Sequence, residues 1–295
     1  MNMAGIEIVV LQVSIFLIVF SLGLESTFQD AVSLFRRPRL LARSFISMNI
    51  VMPLVAAIMV QFFGMPPAVK IALVMLSLSP VPPILPQRQA GAGGRTAYVH
   101  GLLTAMALLS IVVVPVAVEV LGRIYGHDVH VGPLLVARVV GKTVLLPLGL
   151  GILIRLFVPG WAAKGSKILA QSGNLLLLAA LIPLLVFAWR PIASLIGNGT
   201  LMAMIVFAGV ALVVGHTLGG PHPSERSVLA LATASRHPGL AIAVATATFP
   251  AQRRLEVAAI LLYVVVSFLV VFPYVAWRKR RLARSAETSP TRRAA

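Results

Sequence analysis

The chain contains no cysteine. Disulfides, thiolate metal centres and cysteine nucleophiles are thereby excluded. Charge is scarce too: 11% of the 295 residues are charged and only 8 are acidic, while 59% are hydrophobic. Soluble domains carry about 25% charged and about 45–50% apolar residues, so a water-soluble globule is excluded. With a mean hydropathy of +0.96, the composition is that of a protein dissolved in lipid. No Ser/His/Asp order, zinc spacing or phosphate loop has a credible context. Gly91-Ala92-Gly93-Gly94 lacks the Lys-Ser/Thr ending of a P-loop, so no enzymatic chemistry is expected.

Long apolar runs are what the sequence has instead. About 20 apolar helical residues cross the roughly 30 Å hydrocarbon layer, and nine such stretches are present, near 5–25, 43–64, 67–87, 97–121, 132–154, 168–188, 192–215, 227–249 and 255–277. The expectation is an all-α polytopic membrane protein in which residues 1–277 form one transmembrane unit and 278–295 a basic cytoplasmic tail. The first stretch runs into Arg36, Arg37 and Arg39 rather than a small-residue cleavage site, which marks a span and not a removable signal peptide.

The net charge of +17 is explained by topology. With the N-terminus outside, 17 basic residues fall on inner segments and 5 on outer ones, as the positive-inside rule requires. A nucleic-acid partner is therefore not expected, because the basic residues are segregated to one face. The partners expected are the lipid bilayer and a small anionic solute. An Arg-rich chain without an organelle-targeting presequence fits a bacterial inner membrane.

Two spans are interrupted. The third carries Ser79-Pro80-Val81-Pro82-Pro83-Ile84-Leu85-Pro86, four prolines in seven residues, and the eighth carries Ser235-Arg236-His237-Pro238-Gly239. Proline removes helix hydrogen bonds that lipid cannot replace. The breaks lie five spans apart, so they enter from opposite sides, and paired interrupted helices in inverted halves are the sequence pointer to a transport site. Three cations fall inside spans: Arg138, Lys142 and Arg236. Arg138 and Lys142 share one helix face, whereas Arg236 lies about 15 Å from the end of its span and needs a partner. Fixed cations with few anions suit an anionic solute. His100 and His237 are the titratable candidates for proton coupling. Asn49, Gln87, Thr104, Thr143, Gln171, Asn174, Thr233 and Ser235 are the polar candidates for a cavity, with helix packing as the alternative role. The expected site thus comprises Arg236, His237, Ser235, Pro238, Thr233, Pro80, Pro82, Gln87, His100, Thr104, Lys142 and Asn49.

The run Leu22-Gly23-Leu24, Phe28-Gln29-Asp30, Arg36-Arg37-Pro38-Arg39 and Met52-Pro53 before Pro66-Pro67 resembles the bile acid:sodium symporter superfamily. The similarity continues through the Pro80 break and Gly239-Leu240-Ala241. It implies ten helices in two inverted repeats, with crossing broken helices and a panel domain beside a core. Here the first family helix is missing, which leaves nine. The panel would be 5–25 with 132–188, and the core 43–121 with 192–277. The resemblance also implies sodium as a coupling ion, but the chain departs from it there. Where sodium-using members carry a Glu and a Gln-Asn pair, this chain has Ala232, Arg236 and His237. Pro80-Val81-Pro82 and Leu85-Pro86 stand for Pro-Gly-Gly and Ser-Asn, and Val99 and Leu103 fall where hydroxyls are expected, with His100 and Thr104 one residue away. Hard cations need several oxygen donors, so strict sodium coupling is not expected. No other cofactor is implied. The expectation is a secondary carrier of an organic anion with the Arg236 guanidinium in the place of sodium, working as a sodium-independent facilitator or linked to protons through His237. The alternatives are a non-transporting sensor on the same fold and an arsenite-type efflux carrier.

Overall fold

The computed structural model describes residues 3–126 and 129–287. Arg292 and Arg293 of the expected basic tail lie outside them. The described chain is helical: α1 Met3–Glu25, α2 Phe28–Val32, α3 Pro38–Phe45, α4 Met52–Phe62, α5 Pro67–Leu78, α6 Leu85–Gly91, α7 Thr96–Ile124, α8 Pro133–Val140, α9 Leu146–Phe157, α10 Pro159–Leu195, α11 Thr200–Leu218, α12 Pro223–Ala234, α13 Pro238–Thr248 and α14 Arg253–Glu287. Six of these helices begin on proline, whose fixed φ suits the first turn and whose missing N–H is not needed there. Among the described residues seven stretches are long and apolar enough to cross a membrane. The shorter apolar helices Val9–Glu25 and Pro67–Leu78 fall in the first and third expected stretches, and the whole is a polytopic all-helical membrane protein.

Two π-helical turns, Ile46–Val51 and Gly141–Leu145, join α3 to α4 and α8 to α9. Each directly precedes a helix whose second residue is proline, Pro53 or Pro147. A proline ring clashes with the carbonyl four residues earlier, and widening the turn by one residue relieves that clash.

The boundaries differ from expectation in three places. Residues 155–167 are not a loop, because a single non-helical residue, Val158, separates α9 from α10. The next turn does not fall between 188 and 192. Instead α10 runs through Pro183 and Pro191, and the chain reverses at Gly197, Asn198 and Gly199, whose φ values are all positive (136°, 42° and 77°). Glycine and asparagine are the residues that adopt this conformation, and they outweigh a proline that neighbouring helices tolerate in a membrane. Lastly, α14 continues past residue 278 to Glu287.

Helix α1 packs closely against α9 and α10. A Cβ added to Gly23 would overlap the Leu148 carbonyl and Gly151, and one on Gly173 of α10 would meet Ile18 and the Ser14 carbonyl. Small residues let membrane helices approach backbone to backbone. Helix α14 packs against α5, α10, α11 and α13, and α11 against α12. The most buried stretch is Ser227–Ala234 of α12, which leads into the second break. Apolar side chains of α10 such as Leu175, Ile182 and Val186 face outward, as a lipid-facing surface does.

Candidate functional site

The two breaks meet. Helix α5 ends at Leu78 and the chain is non-helical from Ser79, closing in a turn at Pro83 and Ile84 before α6 starts at Leu85, while α12 ends at Ala234 and α13 starts at Pro238. The His237 backbone N–H donates to the Pro80 carbonyl across 3.0 Å. Non-helical backbone at membrane depth must be covered by protein or line a water-filled cavity, and here Ser79 to Pro83 are buried.

Arg236 lies in this crossing and is 3% exposed. Its Nη1 donates to the Ser79 carbonyl (3.2 Å) and its Nη2 to the Met48 carbonyl (3.3 Å). Ser79 closes α5 and Met48 belongs to the first π turn, so one guanidinium ties three chain segments together. Its Nε has no partner. The ion pairs among the described residues, Arg37–Glu225 and Arg123–Glu119, do not involve it. The partner is therefore carbonyl dipoles and not a carboxylate. Hydrogen bonds to a charged group contribute about 1.5–3 kcal/mol each, against an effective burial penalty of several kcal/mol per ion. The crossing is thus left electropositive.

Neighbouring bonds fix it in place. The Thr233 and Ser47 hydroxyls are 2.8 Å apart, which staples α12 to the same π turn. The Tyr263 hydroxyl donates to the Ala234 carbonyl (2.7 Å) at the buried C-terminal end of α12, where carbonyls have no partner within the helix. His237 caps α13: its Nδ1 accepts from the Leu240 N–H at 3.2 Å. That nitrogen carries no proton, so Nε2 carries the hydrogen and donates to the Thr143 Oγ at 3.2 Å. Thr143 in turn donates to the Val139 carbonyl. His237 is consequently the neutral tautomer, and protonating Nδ1 would break the cap.

The expected site residues separate into groups. Arg236, His237, Thr233, Pro80 and Pro82 come together at the crossing, with Ser235 half-buried and Pro238 opening α13. Asn49 donates to the Met106 sulfur at 3.5 Å. Gln87 on α6 accepts from Asn174 of α10 at 3.0 Å. His100 instead meets Ser26 in the link between α1 and α2, His100 Nδ1 and Ser26 Oγ being 2.7 Å apart, and Thr104 donates to the His100 carbonyl within α7. Lys142 is exposed on the second π turn, beside Thr143. Among the described residues no cluster of His, Asp and Glu could hold a metal ion. The Met48 and Ser79 carbonyls were not foreseen, since a backbone acceptor leaves no mark in side-chain identity. Tyr263 was missed as well, since its hydroxyl is one of several polar groups in the ninth span, beside Glu256, Ser267 and Tyr274.

Two buried helix breaks braced across a cationic centre, inside a bundle of apolar helices, define a membrane transport protein. The model of the sodium bile acid symporter family matches residues 12–214, and the chain belongs to that family. No curated protein matches it. The matched segment includes the first break and ends before the second, so the residues that set this site apart lie beyond it.

Proposed function

We propose that this protein carries an organic anion across the membrane by alternating access without a sodium requirement, the Arg236 guanidinium acting as a built-in cation at the crossing. The observation that carries the proposal is the pair of bonds from Arg236 to the Ser79 and Met48 carbonyls. Carbonyl oxygens are the donors a hard cation uses, and here they are taken by a tethered charge. The neutral, capping His237 favours facilitated passage over proton coupling.

The helices α1, α8, α9 and α10 form the panel in this reading, supported by the glycine-mediated packing of α1, and the remainder forms the core. Two side-chain bonds then cross the seam: His237–Thr143 and Gln87–Asn174. One leaves each broken span, and both must break when the core moves. The N-terminus lies outside and the basic C-terminus inside, in a bacterial inner membrane. Uptake of a panel of radiolabelled organic anions into proteoliposomes tests the proposal. Accumulation by the wild type that Arg236→Gln abolishes is expected. Ligand binding without any translocation would point to a sensor instead.

A further inference from the structure

At the end of the molecule that carries the α4–α5 turn, a cavity of about 520 Å³ opens between α4, α5, the far end of α7 and the Phe249–Gln252 segment. It is separate from the crossing, and none of the expected site residues lines it. Its volume lies within the roughly 300–1,000 Å³ of ligand sites, which are mostly apolar with a few polar groups that fix orientation.

The lining has that make-up. Val74, Leu121 and Phe249 provide an apolar wall. Met65 and Met75 add unbranched side chains that adapt to a ligand's outline. Lys70 is the only charged residue that lines it, and Gln61, Tyr125 and Gln252 supply polar atoms. Among the described residues no acidic side chain lines the cavity, and Glu119, next to the lining Val118, is engaged by Arg123. Lys70 is half-buried on the first turn of α5, so its ammonium stands over a largely apolar chamber whose described lining offers it no carboxylate.

We propose that this cavity is a binding site for a soluble amphipathic monocarboxylate, with the carboxylate on Lys70 and the apolar body against Val74, Met75 and Phe249. In the orientation proposed above it opens to the outside, but the binding does not rest on transport. The α5 face that lines it, from Lys70 to Met75, runs on by one turn to Ser79, the acceptor of Arg236. An occupant therefore lies along the helix that ends at the crossing.

The test is equilibrium binding of radiolabelled 1-naphthylacetate to the full chain in phosphatidylcholine nanodiscs, which contain no anionic lipid to compete. Saturable binding by the wild type is expected, weakened about tenfold or more by Lys70→Gln. The uncharged 1-naphthaleneethanol should bind wild type and Lys70→Gln alike, and Val74→Trp should weaken both probes by filling the chamber. Arg236→Gln should bind 1-naphthylacetate as the wild type does. Absence of saturable binding, or a Lys70→Gln variant that binds the carboxylate unchanged, overturns the proposal. Loss in Arg236→Gln with retention in Lys70→Gln also overturns it, by moving the site to the crossing. If Arg236→Gln keeps both uptake and binding, the proposed role of Arg236 falls while this cavity stands.

Discussion

Replacing Arg236 by methionine separates structural from functional roles of the buried charge. The two guanidinium bonds, at 3.2 and 3.3 Å, are long for N–H donors, so each belongs near the lower end of charge-assisted values. Together they contribute about 3 kcal/mol. Their removal also leaves the Ser79 and Met48 carbonyls without that partner, at about 1–3 kcal/mol each. Removing the cation abolishes a burial penalty of several kcal/mol, and methionine fills the space. These terms nearly cancel, so folding stability should change by no more than about 2 kcal/mol. Transport should respond differently. A cation about 6 Å from a carboxylate contributes about 2.8 kcal/mol at an effective dielectric of about 20, or about a hundredfold in affinity. Arg236→Met should therefore unfold within a few degrees of the wild type while initial uptake of anion at sub-saturating concentration falls about a hundredfold. Unchanged uptake by a folded Arg236→Met variant would refute the reasoning.

Other substitutions probe the packing and the seam. Gly23→Val should clash with Leu148 and Gly151 and lower the thermal unfolding temperature of the purified protein by an overpacking cost of about 1–3 kcal/mol or more. Thr143→Val removes the acceptor of the His237 Nε2 hydrogen, a bond of about 0.5–1.5 kcal/mol. If opening the seam limits turnover, anion exchange should become faster by roughly twofold to tenfold, and slower exchange would argue that the bond serves the moving state. Asp30, between α1 and α3, titrates below the usual carboxylate value of 3.8: burial raises it, but bonds from the Thr27 hydroxyl and backbone, with His100 and Arg155 nearby, prevail. A depressed folded-state pKa gives stability that is present above the unfolded value and lost as pH falls through the folded one. Thr27→Ala should move the Asp30 titration upward by NMR.

The broken helices were legible because proline clusters at membrane depth have one physical meaning, and Arg236 because a charge in the middle of a span cannot reach water. Which residues meet Arg236 was not legible. Its acceptors, Ser79 and Met48, lie 157 and 188 residues away in sequence and act through backbone oxygens that every residue has. His100 and Thr104 show the opposite case. They are polar and buried at suitable depth, yet His100 bonds Ser26 between α1 and α2 and Thr104 turns back onto its own helix, because side-chain chemistry does not say which neighbour a helix face will meet. The length of α10 was hidden by Pro183 and Pro191, which end helices in water but are tolerated inside membrane helices. Its true end was written in Gly197-Asn198-Gly199.

The central proposal is that a tethered guanidinium at the crossing takes the part of the sodium ion in the family's name. Initial rates of anion uptake into proteoliposomes, with external sodium replaced by choline at constant ionic strength, test it most directly. Equal rates in the two salts are predicted for the wild type. A rate that collapses in choline would contradict the account.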